Sequence, residues 1–219
     1  MAALTYTKRM RATHPSVTIP APMLASPGGK PFTSDDWLYE VKFDGYRCLA
    51  KADSGRVELR TKSGMECTTW YPELARALAV LPDGPHVIDG EVCVLDDLGR
   101  SDFDCLHARS ARRRWYTGCD QVTLCAFDLL FEDGRNIMGQ PLVERKARLQ
   151  RLLRGVRGVL CVSDLPAREE LFAQAVEPLA LEGFVAKRRD SIYRPGVRSP
   201  DWLKIKRKGA VPPERFRRR

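Results

Sequence analysis

With 219 residues, 43% of them hydrophobic, the chain can bury one sizeable core, and it lacks both an N-terminal secretory run and the roughly 18 consecutive apolar residues of a membrane span. Its net charge of +9 is placed unevenly: residues 187–219 hold 13 of the 37 basic and 3 of the 28 acidic residues, a net of +10, which leaves the first 186 at −1 and points to a polyanionic partner. The seven cysteines are scattered without a CxxC pair, which argues against zinc and disulfide scaffolds and for a reduced, cytoplasmic setting.

Residues 1–36 are rich in Pro, Ser, Thr and Gly and read as an N-terminal arm, with a turn over Ser26–Pro31. Strands are expected over 37–42, 48–52 and 57–60. Leu74, Ala77, Leu78 and Leu81 recur at helical spacing, so a helix is expected over 72–81. Residues 87–95 and 122–130 read as strong strands. A helix follows over 142–153, a short strand over 159–163 and a helix over 167–179. Strands resume over 183–187 and 202–206. Hairpins broken by helices, without a regular βαβ repeat, predict an α+β fold. The expected organisation is the arm, one domain over 37–208 and a basic tail over 209–219.

The informative residues are polar ones on apolar strands. Lys42 follows Glu40 and Val41 and precedes Asp44–Gly45, where a lysine on an inward face is costly without a role. Asp89 and Glu91 share a strand face with Val87, Cys93 and Leu95, so they need cations, a metal or hydrogen-bond donors. Lys204 and Lys206 share one face, about 7 Å apart, a spacing suited to phosphate oxygens. Glu182 and Lys187 bracket a short apolar strand. Each pattern alone also fits a solvated lysine, a structural ion pair or a protected edge strand. Together they describe a cleft for a nucleoside triphosphate and a divalent metal.

The order of these segments resembles a known family. Lys42–Phe43–Asp44–Gly45–Tyr46–Arg47 is similar to the KxDGxR signature of covalent nucleotidyltransferases, which comprise DNA ligases, RNA ligases and mRNA capping enzymes. Asp89–Gly90–Glu91, Ala126–Leu129, Glu182–Lys187 and Trp202–Lys206 resemble the later motifs in the family's order. The flanks Pro22–Ala25, Trp37–Glu40 and Ala186–Gly196 resemble the bacterial ATP-dependent DNA ligases of the end-joining type. The resemblance implies a ligase-type adenylation fold of antiparallel sheets flanked by helices. It implies ATP as the nucleotide, Mg²⁺ or Mn²⁺ as the metal, and nicked or broken double-stranded DNA as the substrate.

Carried over position by position, Lys42 is the nucleophile that takes AMP. Glu40 lies by the adenine, Phe127 stacks on it, and Arg47 and Glu91 contact the ribose. Glu182 helps place metal and sugar, with Glu91 as the other metal-side carboxylate. Lys187, Lys204 and Lys206 contact phosphates. Two departures stand out. The family's second short motif usually carries an arginine where this chain has Thr61–Lys62–Ser63–Gly64; Lys62 supplies charge without a planar fork, and Arg60 is placed to compensate. Only 13 residues follow Lys206, too few for the OB-fold that DNA ligases carry next, so a separate OB-fold domain or an end-joining protein is the expected helper. A monomer with no membrane partner is expected. The competing expectations are an RNA ligase-type enzyme and a degenerate, non-catalytic DNA-binding module.

Overall fold

The computed structural model describes residues 16–210 apart from residue 83. Residues 1–15 of the arm and 211–219 of the tail therefore lie outside the described residues. Two sheets face each other. One contains β1 (Leu24–Pro27), β2 (Ser34–Val41), β9 (Leu165–Ala167), β10 (Gly183–Arg188) and β11 (Arg198–Lys206), in the order β1-β11-β10-β2-β9. The other contains β3 (Tyr46–Asp53), β4 (Arg56–Thr61), β5 (His86–Cys93), β6 (Thr123–Glu132) and β7 (Arg135–Asn136), in the order β4-β3-β5-β6-β7, with β8 (Val159–Cys161) beside β6. Pairing is antiparallel except for β1 with β11 and β6 with β8, so both sheets are mixed. The expected α+β architecture is the observed one.

Each sheet has one face turned to the other sheet and one covered by helices. Between the sheets lie Met23, Leu38, Leu49, Val87, Leu130 and Trp202, continued by a smaller cluster around Cys93, Cys125 and Val162. The outer face of the second sheet buries Ile88, Val92, Leu124 and Leu129. It packs there against α1 (Pro72–Leu78), α2 (Phe103–Ala111) and α3 (Leu142–Leu152), through Leu74, Leu106 and Leu149. The outer face of the first sheet buries Tyr39 and Phe184 beneath Phe172 and Val176. Among the described residues no helix is long and apolar enough to cross a membrane.

The structure departs from the expected elements in three places. Part of the arm is a strand: β1 runs parallel to β11 and places Leu24 and Ala25 at the site described below. The helix expected over 167–179 is shorter and wound differently: β9, which pairs with β2, ends at Ala167, and the helical part is the π-helical segment Phe172–Val176. Pro166 is tolerated in β9 because that strand lies at the sheet edge. Helix α2 carries no apolar stripe that could announce it; two of its three buried side chains are Arg109 and Ser110.

Close approach fixes two glycines. A Cβ at Gly45, after the Lys42 turn, would sit 2.2 Å from the Val92 carbonyl oxygen. At Gly183 it would sit 2.0 Å from the Ile205 carbonyl oxygen, and the residue has φ +150°, a region that favours glycine. The Gly183 carbonyl accepts the Lys42 N–H at 2.9 Å, so the tight contact at β10 fixes the backbone of the candidate nucleophile.

Candidate active site

The cleft between the sheets is lined by Leu24, Ala25, Glu40, Val41, Lys42, Phe43, Arg47, Lys62, Glu91, Phe127, Val185, Lys187, Trp202 and Lys204. Strand β2 delivers Glu40 and, just past its end, Lys42. Strands β3 and β5 deliver Arg47 and Glu91 as direct neighbours. Strand β6 delivers Phe127, β10 delivers Lys187, and β11 delivers Trp202 and Lys204. Seven separated stretches of sequence thus converge on one cavity.

At its inner end the polar groups form a closed network. Glu40 is buried and ion-pairs with both Lys146 of α3 at 2.6 Å and Lys187 at 2.7 Å. The Lys187 ammonium also lies 4.3 Å from the Phe127 ring centroid and 4.0 Å from that of Trp202. Burial, and the neighbouring Lys146, lower the Lys187 pKa although Glu40 opposes the shift. Arg47 donates to both carboxylate oxygens of buried Asp89, at 2.5 and 2.6 Å, and to the Met23 carbonyl at 3.0 Å. Its guanidinium lies 4.6 Å from the Phe127 ring centroid. Burial alone would weaken its protonation, but Asp89 more than compensates and raises its pKa. The Tyr193 hydroxyl donates to Asp89 at 2.6 Å and accepts the Met23 N–H at 2.9 Å, tying the arm to the network.

The outer end is different. Lys42 is held by the Glu182 carboxylate, whose other oxygen pairs with Lys206 at 2.8 Å. Lys204 faces the same space with its pKa lowered, first by burial and then by Lys42, Arg198, Lys206 and Lys62. Glu91 is pushed up to about 7, chiefly by burial and further by Asp89 and Asp44, against the pull of Arg47 and Lys42. A strand-bound aromatic and arginine at one end, and a lysine amine beside clustered ammonium groups at the other, match a nucleotide with its base inward and its phosphates outward.

Comparison with known proteins agrees. The family model described as ATP dependent DNA ligase domain matches residues 22–206. The chain belongs to this family. It is 35% identical over 187 residues to the multifunctional non-homologous end joining protein LigD of Mycolicibacterium smegmatis, covering 85% of this chain and 24% of that protein. It is 37% identical over 191 residues to the LigD of Pseudomonas aeruginosa, covering 85% of this chain and 22% of that one. A mycobacterial DNA ligase D complexed with ATP and MES superimposes with a TM-score of 0.72 at 36% identity, over 85% of this chain and 60% of that one. The chain thus spans about a quarter of the length of these curated relatives.

Of the positions expected from sequence in this ligase-type adenylation domain, Glu40, Lys42, Arg47, Lys62, Glu91, Phe127, Lys187 and Lys204 line the cleft. Glu182 and Lys206 sit beside it, joined to it through Lys42. Lys187 is placed differently from the phosphate-contacting role expected for it: it is buried at the inner end against Glu40, Phe127 and Trp202. Arg60 does not substitute for the missing arginine, because it is tied to Glu58 and the Gly64 carbonyl, in a neighbouring groove. Sequence reasoning passed over Lys146, Tyr193 and Arg198. Lys146 lies within a helix whose apolar stripe conceals a buried ammonium, and the other two lie in a loop and at a strand start where no periodicity marks them.

For a metal, Glu182 pairs with Lys42 and Glu91 lines the same cleft, and the described residues hold no group of three His, Cys, Asp or Glu side chains arranged for a metal ion. A donor set of one or two carboxylates fits Mg²⁺, which keeps several waters and completes its shell with substrate phosphates.

Proposed function

We propose that the chain is the self-adenylating core of an end-joining DNA ligase. The observation that carries this reading is Lys42 held against Glu182 at the mouth of the cleft that contains Phe127, Arg47 and Lys204. ATP enters with its adenine against Phe127, beside Arg47 and Trp202, and with its ribose near Arg47 and Glu91. The Lys42 Nζ attacks the α-phosphorus in line, an N–P bond forms, and the bond to the β-phosphate oxygen breaks to release pyrophosphate. Glu182 orients the amine and is placed to take the proton it loses. Lys204 and Lys206 face the charge that develops on the α-phosphate, and Lys62 faces the outgoing phosphates. Glu91 and Glu182 would hold Mg²⁺ or Mn²⁺, which would supply further neutralisation of phosphate charge. Lys187 keeps Glu40 fixed and presents a buried donor at the base end.

The lysyl-AMP then passes to the 5′-phosphate of nicked or broken duplex DNA, and a neighbouring 3′-hydroxyl displaces AMP. In this reading the unit over 37–208, completed by β1 from the arm, works as a cytoplasmic monomer. An OB-fold domain or an end-joining protein closes over the DNA. Intact mass after incubation with ATP and Mg²⁺ tests the first step without DNA. An addition of about 329 Da, AMP less one water, is expected; a chain that stays at its apo mass under every divalent-metal condition removes the reading.

A further inference from the structure

A second cationic feature lies outside the cleft. Helix α2 starts beside the nucleophile turn, where the Ser101 hydroxyl accepts the Asp44 N–H at 2.9 Å and the Asp102 carboxylate caps the helix through the Cys105 N–H at 2.9 Å. Nine residues at about 1.5 Å each carry it about 13 Å away. It delivers the chain to three consecutive exposed arginines, Arg112, Arg113 and Arg114.

The turn is built to hold them. Arg109, fully buried, donates to the Arg114 carbonyl at 2.9 Å and the Trp70 carbonyl at 2.8 Å, and pairs with Glu73 at 3.1 Å. The Arg112 guanidinium lies 4.1 Å from the Tyr116 ring centroid and that of Arg113 lies 5.4 Å from Trp70. Arg113 has φ +52°, a left-handed conformation that disfavours any side chain. None of the three makes an ion pair with a described residue, whereas Arg109 of α2 and Arg148 of α3 do. A guanidinium stacked on a ring has lost much of its rotamer freedom but keeps its N–H edge free for phosphate oxygens.

We propose that the Arg112–Arg114 turn is a docking site for the phosphate backbone of the duplex whose break faces Lys42. The inference rests on the DNA-joining reading above. A duplex is the fitting occupant because the helix spans a length of about four base pairs at 3.4 Å each, so one continuous polyanion reaches both ends of α2. Guanidinium groups that meet phosphate oxygens give affinity and no sequence preference.

The test is binding of nicked duplex by the 219-residue chain over about 50 to 200 mM salt. Wild type is compared with the triple variant Arg112→Ala/Arg113→Ala/Arg114→Ala and with the corresponding triple lysine variant. The alanine triple is expected to lower the slope of log affinity against log salt by about 2 to 3, with the lysine triple retaining most of it. Self-adenylation should be unchanged in both, which also reports that they fold. A wild-type slope in the alanine triple overturns the proposal. Should that variant fail to charge itself, Arg112→Ala and Arg114→Ala, which leave the Arg113 backbone and the Arg109 contacts in place, are each expected to lower the slope by about 1. An unchanged slope in both overturns it as well. A wild type that forms lysyl-AMP yet shows no salt-dependent DNA binding removes the DNA reading itself, and this inference with it.

Discussion

The two ends of the cleft solve opposite electrostatic problems. At the inner end Arg47, Lys146 and Lys187 are each paired with a buried carboxylate, and Tyr193 closes the remaining side of Asp89. At the outer end Lys42 and Lys206 share the single carboxylate of Glu182, while Lys204 and Lys62 have no ion-pair partner among the described residues. The inner end is balanced in charge without a ligand, although the buried Trp202 Nε1 there has no hydrogen-bond partner among the described residues. The outer end carries an excess of positive charge that a polyphosphate would neutralise. In the proposed reading, shape and stacking select the base, and the excess positive charge draws in the phosphates.

The sharpest way to break this comparison is Lys42→Ala. If Lys42 is a nucleophile and not a prop for Glu182, covalent AMP is lost completely while the melting temperature changes little, because Lys206 still pairs with Glu182. Lys42→Arg should fail as fully, since a guanidinium stays protonated. Acid-stable enzyme-bound AMP at the wild-type level in either variant would contradict the assignment.

Next in size is Lys204→Ala. Removing one preorganised cation from the developing α-phosphate charge should slow lysyl-AMP formation by about 10²- to 10³-fold, and should also slow use of pre-adenylated DNA. If single-turnover rates hold while the protein only melts earlier, Lys204 is a strand residue with a solvated tip.

Glu91 tests the border between the two ends. Its carboxyl is raised to about 7, with burial the main cause. Between its unfolded value near 4.3 and 7 the folded state binds the proton more tightly than the unfolded chain does, so stability falls as pH rises through that window. The loss between pH 5 and 8 should be about 2 to 3 kcal/mol, and Glu91→Gln should flatten the slope in denaturant unfolding. An equal slope in that variant would place the titrating group elsewhere.

How much of this was legible beforehand depends on what each feature rests on. The spacing of Lys42, Glu91, Glu182, Lys204 and Lys206 on strands is local, period-two information, and the motif order added the rest. The α+β architecture followed from the same strand and helix periods. Helix α2 stayed hidden because Arg109 and Ser110 occupy buried positions that periodicity reserves for apolar residues. Strand β1 stayed hidden because Leu24–Pro27 becomes a strand only by pairing with β11, about 170 residues away. Lys187 was grouped with the phosphate-facing lysines because sequence gives its strand face and not its depth. Its pairing with Glu40 depends on strand order, which no local pattern encodes.

The smallest effect is expected at the inner end itself, from Phe127→Leu. The ring is half-buried, lines the cleft, and has Arg47 and Lys187 near its centroid and Trp202 at its edge. A leucine fills much of the same volume but offers no π face, so stacking on a planar base is lost while the outer cations keep their hold on the phosphates. The expected cost is about 0.5 to 1.5 kcal/mol in ATP binding, up to roughly tenfold in affinity, with little change in the rate once ATP is bound. The two cations that flank the ring also lose a cation–π partner, which works in the same direction by loosening Arg47. Equilibrium ATP affinity, the rate at saturating ATP and the melting temperature, measured on one preparation, separate the outcomes. Weaker binding at an unchanged saturating rate supports the base-end assignment. Unchanged affinity with a lower melting temperature would make Phe127 a packing residue between the sheets, and the adenine would then have to rest against Trp202 or Val185 instead.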